Sequence, residues 1–128
     1  MVKWTMLAIL TVLATLAGAQ SIPLACDQYF RAAEACTRNL MGVYERTNPK
    51  EVQDIKNALK ALNEGRVQIR KQIAEQGGDA VAQKCAGEQF VVPMMNLING
   101  LVVPLQFSRS LNSSCQRAMG EIRLPPGL

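Results

Sequence analysis

Histidine is absent from all 128 residues, and that omission removes the usual general base, the usual pH switch near neutrality and the commonest metal ligand. Aromatics make up only 5% of the chain, and the single tryptophan, Trp4, lies in the first twenty residues. No strand-like alternation of apolar and polar residues occurs, nor any internal repeat or low-complexity linker, which points away from sheets and tandem arrays. G-x-S-x-G, P-loop and H-E-x-x-H motifs are all missing. A concentrated basic patch is missing too. Lys50, Lys56, Lys60, Arg66, Arg70 and Lys71 are interspersed with Glu51, Asp54, Glu64 and Glu75, the pattern of a solvated helix face rather than a nucleic-acid interface.

What is present begins with a start resembling an export leader. Met1-Val2-Lys3 is short and positive, Leu7 to Leu16 is apolar apart from Thr11 and Thr15, and Ala17-Gly18-Ala19 offers the small-x-small pattern that signal peptidase cuts. The run is about half the roughly 20 apolar residues of a membrane-spanning helix. A cleaved signal peptide over residues 1–19, a single domain over 20–122 and a tail over 123–128 are therefore expected. A periplasmic or extracellular location goes with them. Loss of Lys3 brings the formal charge from +4 to about +3, mildly basic and selective for no partner.

In such a compartment an even cysteine count reads as disulfides. The cysteines are Cys26, Cys36, Cys85 and Cys115. Their spacings are far from the C-x2-4-C pairs of structural zinc sites, and no histidine is available to activate a catalytic thiol, so no metal and no cofactor are expected. Cys26 and Cys36 share one predicted helix and stand about 15 Å apart along its axis. A disulfide needs Cα atoms within about 7 Å, so each must tie the first helix to a later one. If the first three segments run up, down and up, Cys26–Cys85 with Cys36–Cys115 is the preferred pairing. A hairpin-like arrangement gives Cys26–Cys115 with Cys36–Cys85 instead.

Four apolar-periodic segments follow the leader. In the first, from about Leu24 to Arg46, Cys26, Tyr29, Ala33, Cys36, Leu40 and Val43 recur at three- and four-residue steps, and Thr47-Asn48-Pro49 ends it. The second, about Lys50 to Gln76, carries Val52, Ile55, Leu59, Leu62, Arg66, Ile69 and Ile73. This stripe keeps its phase across Gly65, so one continuous helix is expected, closed by Gly77-Gly78. The third begins at Asp79 as N-cap and runs to about Val103. From Phe90 to Phe107 it is apolar almost all round, which predicts a buried central helix, with Pro93 kinking or splitting it and Pro104 stopping it or opening the next. The fourth, about Pro104 to Ile122, repeats Leu111, Cys115, Ala118 and Ile122. The expected fold is all-α: a small antiparallel bundle of about four helices stapled by two disulfides.

Cys26-Asp27-Gln28-Tyr29, then Glu34-Ala35-Cys36, resembles the start of a group of small exported bacterial helical proteins that open with C-D-x-Y and a second cysteine at this spacing. The likeness continues at Arg66-x-x-Ile69 and reaches Cys85, about half of the mature chain. Ile69 stands where that group has tryptophan, Gly77-Gly78 replaces a proline turn, and the stretch from Phe90 to Phe107 delays the fourth cysteine. The resemblance implies a periplasmic or secreted bacterial protein and no particular activity.

No constellation stands out as catalytic. Glu51 and Asp54 read as helix-start charges favoured by the dipole. Ser108, Ser110, Ser113 and Ser114 have no visible base, and Asn112-Ser113-Ser114 matches a glycosylation sequon that has meaning only in a eukaryotic secretory pathway. The functional candidate is the segment from Phe90 to Phe107, read first as a core helix, second as the wall of an apolar pocket, third as a membrane or partner surface. The chain is thus expected to be non-enzymatic and to act by binding a protein partner. The alternative is a carrier of a small apolar ligand or lipid, with Phe90, Val91, Met94, Met95, Ile98 and Leu101 as pocket wall.

Overall fold

The computed structural model describes residues 21–128, so the expected leader over residues 1–19 lies outside the described residues. The described chain is all-helical, with five α-helices and one 3-10 turn. Helix α1 spans Leu24–Thr47 and stops where Asn48, held extended at φ −152° by the following proline, leaves the helical region. The 3-10 turn Pro49–Glu51 leads into α2, Val52–Gln76, which passes through Gly65 without interruption. Gly77 ends α2 at φ +90°, a conformation suited to glycine.

The second half departs from the expected segments. Asp79 does not cap the third segment: α3 spans Gly78–Cys85 with Gly77 at the cap, and Asp79 lies in its first turn. Ala86-Gly87 then separates α3 from α4, Glu88–Phe107, so the segment expected to run from Asp79 to Val103 is two helices. Neither proline breaks α4. Pro93 and Pro104 both lie inside it, and Pro104 neither stops it nor opens the next helix. Each removes one N–H from the helical ladder, leaving the carbonyls of Gln89 and Gly100 without their i+4 donors, a loss the surrounding packing absorbs. The last helix, α5, is only Ser113–Gly120, because Ser108 and Arg109 form a turn after α4 and Ser110 to Asn112 follow it without regular structure. Asn112 caps α5 by accepting a hydrogen bond from the Cys115 N–H at 2.9 Å, which gives the asparagine of the sequon a structural role.

The central helix is α1, not the most apolar one. It packs against α2, α4 and α5 and touches α3, whereas α2 and α4 share no substantial packing with each other. The physical reason is shape. Ala32 and Ala33, both fully buried, let neighbours approach α1 closely on several sides, and Tyr29, Phe30, Leu40 and Val43 fill the spaces between them. Helix α4 instead buries one stripe, Val91, Ile98, Val102 and Leu105.

Polar side chains buried on α1 hold the C-terminal segment. Asn39 donates to the Ser110 carbonyl at 3.0 Å and accepts from the Asn112 N–H at 2.8 Å. Gln28 donates to the Arg123 carbonyl at 3.0 Å and accepts from the Arg123 N–H at 2.8 Å. These clamps fix α5 antiparallel to α1. The disulfides do the same covalently, pairing Cys26 with Cys85 and Cys36 with Cys115, the preferred connectivity. They close loops with sequence separations of 59 and 79, each constraining the unfolded chain by about 4 kcal/mol on a chain-entropy model. The loops interleave, so the two contributions do not simply add. Two such bonds suit an oxidising compartment.

Candidate functional site: an apolar groove between two flanking helices

Because α2 and α4 flank α1 without closing on each other, an open groove runs between them. Phe30 and Thr37 of α1 form its floor, Ala58, Ala61, Leu62 and Gly65 of α2 one wall, and Met94, Leu97 and Leu101 of α4 the other. Its volume is about 360 Å³. The two walls differ in height. Ala58, Ala61 and Gly65, at steps of three and four, keep the α2 wall low. Met94, Leu97 and Leu101, at the same steps, make the α4 wall bulky and adaptable. Thr37 spends its hydroxyl on the Ala33 carbonyl at 2.6 Å, so the floor offers no free polar group there.

At one end of the groove aromatic rings pack together. The Phe90 ring packs edge-on to Tyr29 with centroids 5.8 Å apart and lies tilted against Phe30 at 6.1 Å. The Arg66 guanidinium sits over the Phe30 ring, 5.7 Å from its centroid, and pairs with Glu34 at 2.7 Å. Arg38 joins the same carboxylate at 3.1 Å. Partial burial pushes the Glu34 carboxyl up, but the hydrogen bonds and charges of Arg66 and Arg38 outweigh it and hold the group below its ordinary value. Beneath them Tyr29 is fully buried and its hydroxyl has no hydrogen-bond partner among the described residues. Burial raises its pKa, and Gln28, the neighbour that pulls the other way, has both amide atoms committed to the Arg123 backbone.

The residues expected as pocket wall divide. Met94 and Leu101 line the groove. Val91 and Ile98 are buried in the core, Phe90 belongs to the aromatic cluster, and half-buried Met95 packs against the core. The expectation that the whole 90–107 stretch is a buried central helix is overturned: Val92, Leu97, Val103 and Phe107 are 46%, 43%, 46% and 86% exposed. Leu97 and the small residues of α2 were missed. Their three-four spacing was visible, but each lies beside a stronger core stripe on its own helix. Helix α4 is also long and apolar enough to cross a membrane by length and composition, with mean hydropathy 1.6, yet only 28% of that window is buried.

The groove is lined almost wholly by apolar side chains. Its lining contains no titratable side chain, and among the described residues no group of three or more His, Cys, Asp or Glu gathers as a metal cluster. Glu51 and Asp54 are exposed at the start of α2, away from the groove lining. Comparison with family models, curated proteins and solved structures finds no match.

Proposed function

We propose that this is an exported, non-enzymatic interaction protein, and that the groove between α2 and α4 with the outer side of α4 is its docking surface for another protein. The observation that carries the reading is the mismatch on α4: a helix placed at the surface without a single charged residue between Glu88 and Arg109. Exposed helices normally carry charge, as α2 does at Lys56, Lys60, Arg70 and Lys71. A low wall of Ala58, Ala61 and Gly65 facing a high wall of Leu97 and Leu101 suits a helix laid along the groove. The disulfides support an oxidising destination, and the leader-like start and C-D-x-Y opening support an envelope or extracellular setting. The carrier alternative keeps one specific support, the apolar lining and its volume, near the lower end of small-molecule sites.

The test is a photo-reactive benzophenone amino acid introduced at Leu97 in the producing cell, with Val67 on the charged side of α2 as control. A discrete protein adduct from Leu97 that Val67 does not give is expected. A lipid adduct from Leu97 would replace the docking reading with the carrier. Equal background from both positions would remove it.

A further inference from the structure

We infer that a second site, separate from the groove, lies where the C-terminal tail closes over the start of α1, and that it binds a small carboxylic acid with an apolar body. The site does not depend on the docking reading. Its wall joins distant parts of the chain: Leu24, Ala25 and Tyr29 of α1, Cys85 at the end of α3, and Pro125 and Pro126 of the tail. The Cys26–Cys85 disulfide fastens α3 to α1, and Gln28 holds the tail through the backbone of Arg123. The fixed φ of the two prolines stiffens the tail side. The cavity measures about 330 Å³, near the lower end of small-molecule sites.

Two independent observations point to an occupant. The first is Tyr29, which is fully buried, lines the cavity and has a hydroxyl with no hydrogen-bond partner among the described residues. Gln28, the side chain that acts on this hydroxyl, lines the same cavity, so the hydroxyl stands at its wall. Gln28 cannot satisfy it, because both of its amide atoms are taken by Arg123. A buried hydroxyl left unpaired is destabilising, and an oxygen of a bound molecule relieves that cost.

The second is the start of α1. No side chain caps this helix. The Pro23 carbonyl accepts from the N–H groups of Cys26 and Asp27, both at 2.9 Å, whereas those of Leu24 and Ala25 have no acceptor among the described residues. Both of these residues line the cavity. Open N–H groups at a helix start favour a negative group.

Arg123 fixes the sign of the ligand. It is the one charged residue of the lining, and its guanidinium gives a single bond, to the Gly120 carbonyl at 3.1 Å, which leaves further N–H groups to donate. The remaining wall is almost wholly apolar. A carboxylate on an apolar body matches this set: its oxygens accept from Tyr29, Arg123 and the helix start, and its body packs on the two prolines.

Titration of the oxidised chain without its leader with octanoate, followed by amide nitrogen–proton correlation spectra, tests this. Saturating shifts at Leu24, Ala25, Ala86 and Arg123 are expected, and 1-octanol, the uncharged counterpart, should bind at least about tenfold more weakly. Tyr29→Phe and Arg123→Gln should each weaken octanoate by about tenfold while the folded spectrum is retained. Absence of saturable shifts into the millimolar range, equal binding of 1-octanol, or either variant binding like the wild type overturns the inference. Shifts at Ala61 and Leu97 in place of these would put octanoate in the groove, removing this site and favouring the carrier alternative. A protein adduct from Leu97 beside a chain that ignores octanoate removes this site alone and leaves the docking surface standing.

Discussion

Replacing Gly65 by alanine pits helix propensity against packing at the floor of the groove. Alanine is favoured over glycine by about 1 kcal/mol in a helix interior, so propensity alone makes the variant more stable. The structure reverses that expectation. A Cβ at position 65 would stand 3.0 Å from Phe30 Cε1 and 3.4 Å from Cζ, so the ring must yield by a few tenths of an ångström. It has little freedom to do so: Phe90 backs it at 6.1 Å, Arg66 covers it at 5.7 Å, and it is nearly fully buried. Forcing an extra methyl into such packing costs about 1–3 kcal/mol, so Gly65→Ala is expected to lose about 1 kcal/mol net. For a domain of this size that lowers the thermal midpoint by about 4–8 °C. Gly42→Ala, at an interior position of α1 where a Cβ meets nothing within 4 Å, is the matched control and should gain up to about 1 kcal/mol. Urea unfolding followed by circular dichroism measures both. If Gly65→Ala stabilises the chain as much as Gly42→Ala does, the tight fit of Phe30 under α2 is refuted.

Two further expectations concern the same cluster. Tyr29→Phe removes a buried hydroxyl that has no partner among the described residues, so stability should rise by about 1 kcal/mol, and a loss of that size would show that the hydroxyl is bonded in solution. The Glu34 carboxyl is held below its ordinary value of 4.5 in the folded chain, so its contribution is present in full above that value and disappears as pH falls through the lowered one. Unfolding midpoints measured from pH 7 to pH 3 should drop more for the wild type than for Glu34→Gln; equal slopes would mean that the pairing with Arg66 and Arg38 contributes nothing.

Much of the fold was readable because it depends on local periodicity and covalent geometry. The stripe from Cys26 to Val43 defines α1, and the unbroken phase across Gly65 defines α2 as one helix. Helix rise forbids a Cys26–Cys36 bond, and alternating direction ranks the remaining pairings in the order the structure has them. The boundaries after Gly77 were less legible, because they turn on packing. Pro93 and Pro104 are strong local breakers, yet α4 absorbs both while its Val91–Leu105 stripe stays seated on α1. Composition also suggested the wrong central helix. Apolar content measures how much surface can be buried, whereas centrality depends on how many neighbours a helix can approach, and α1 wins on that count through Ala32 and Ala33.

The groove lay furthest from view. Met94 and Leu101 were on the sequence-based pocket wall, but Ala58, Ala61 and Gly65 sit far away in sequence, and no pattern on one helix reveals what stands opposite. By itself, the sequence determined the helical class, the need for Cys26 and Cys36 each to reach a later helix, and the absence of histidine chemistry, since these follow from residue type and spacing along one chain. Only the tertiary structure decided that the most apolar helix lies at the flank with one side uncovered. That outcome depends on which surfaces meet when α2, α4 and α5 compete for the sides of a single narrow helix.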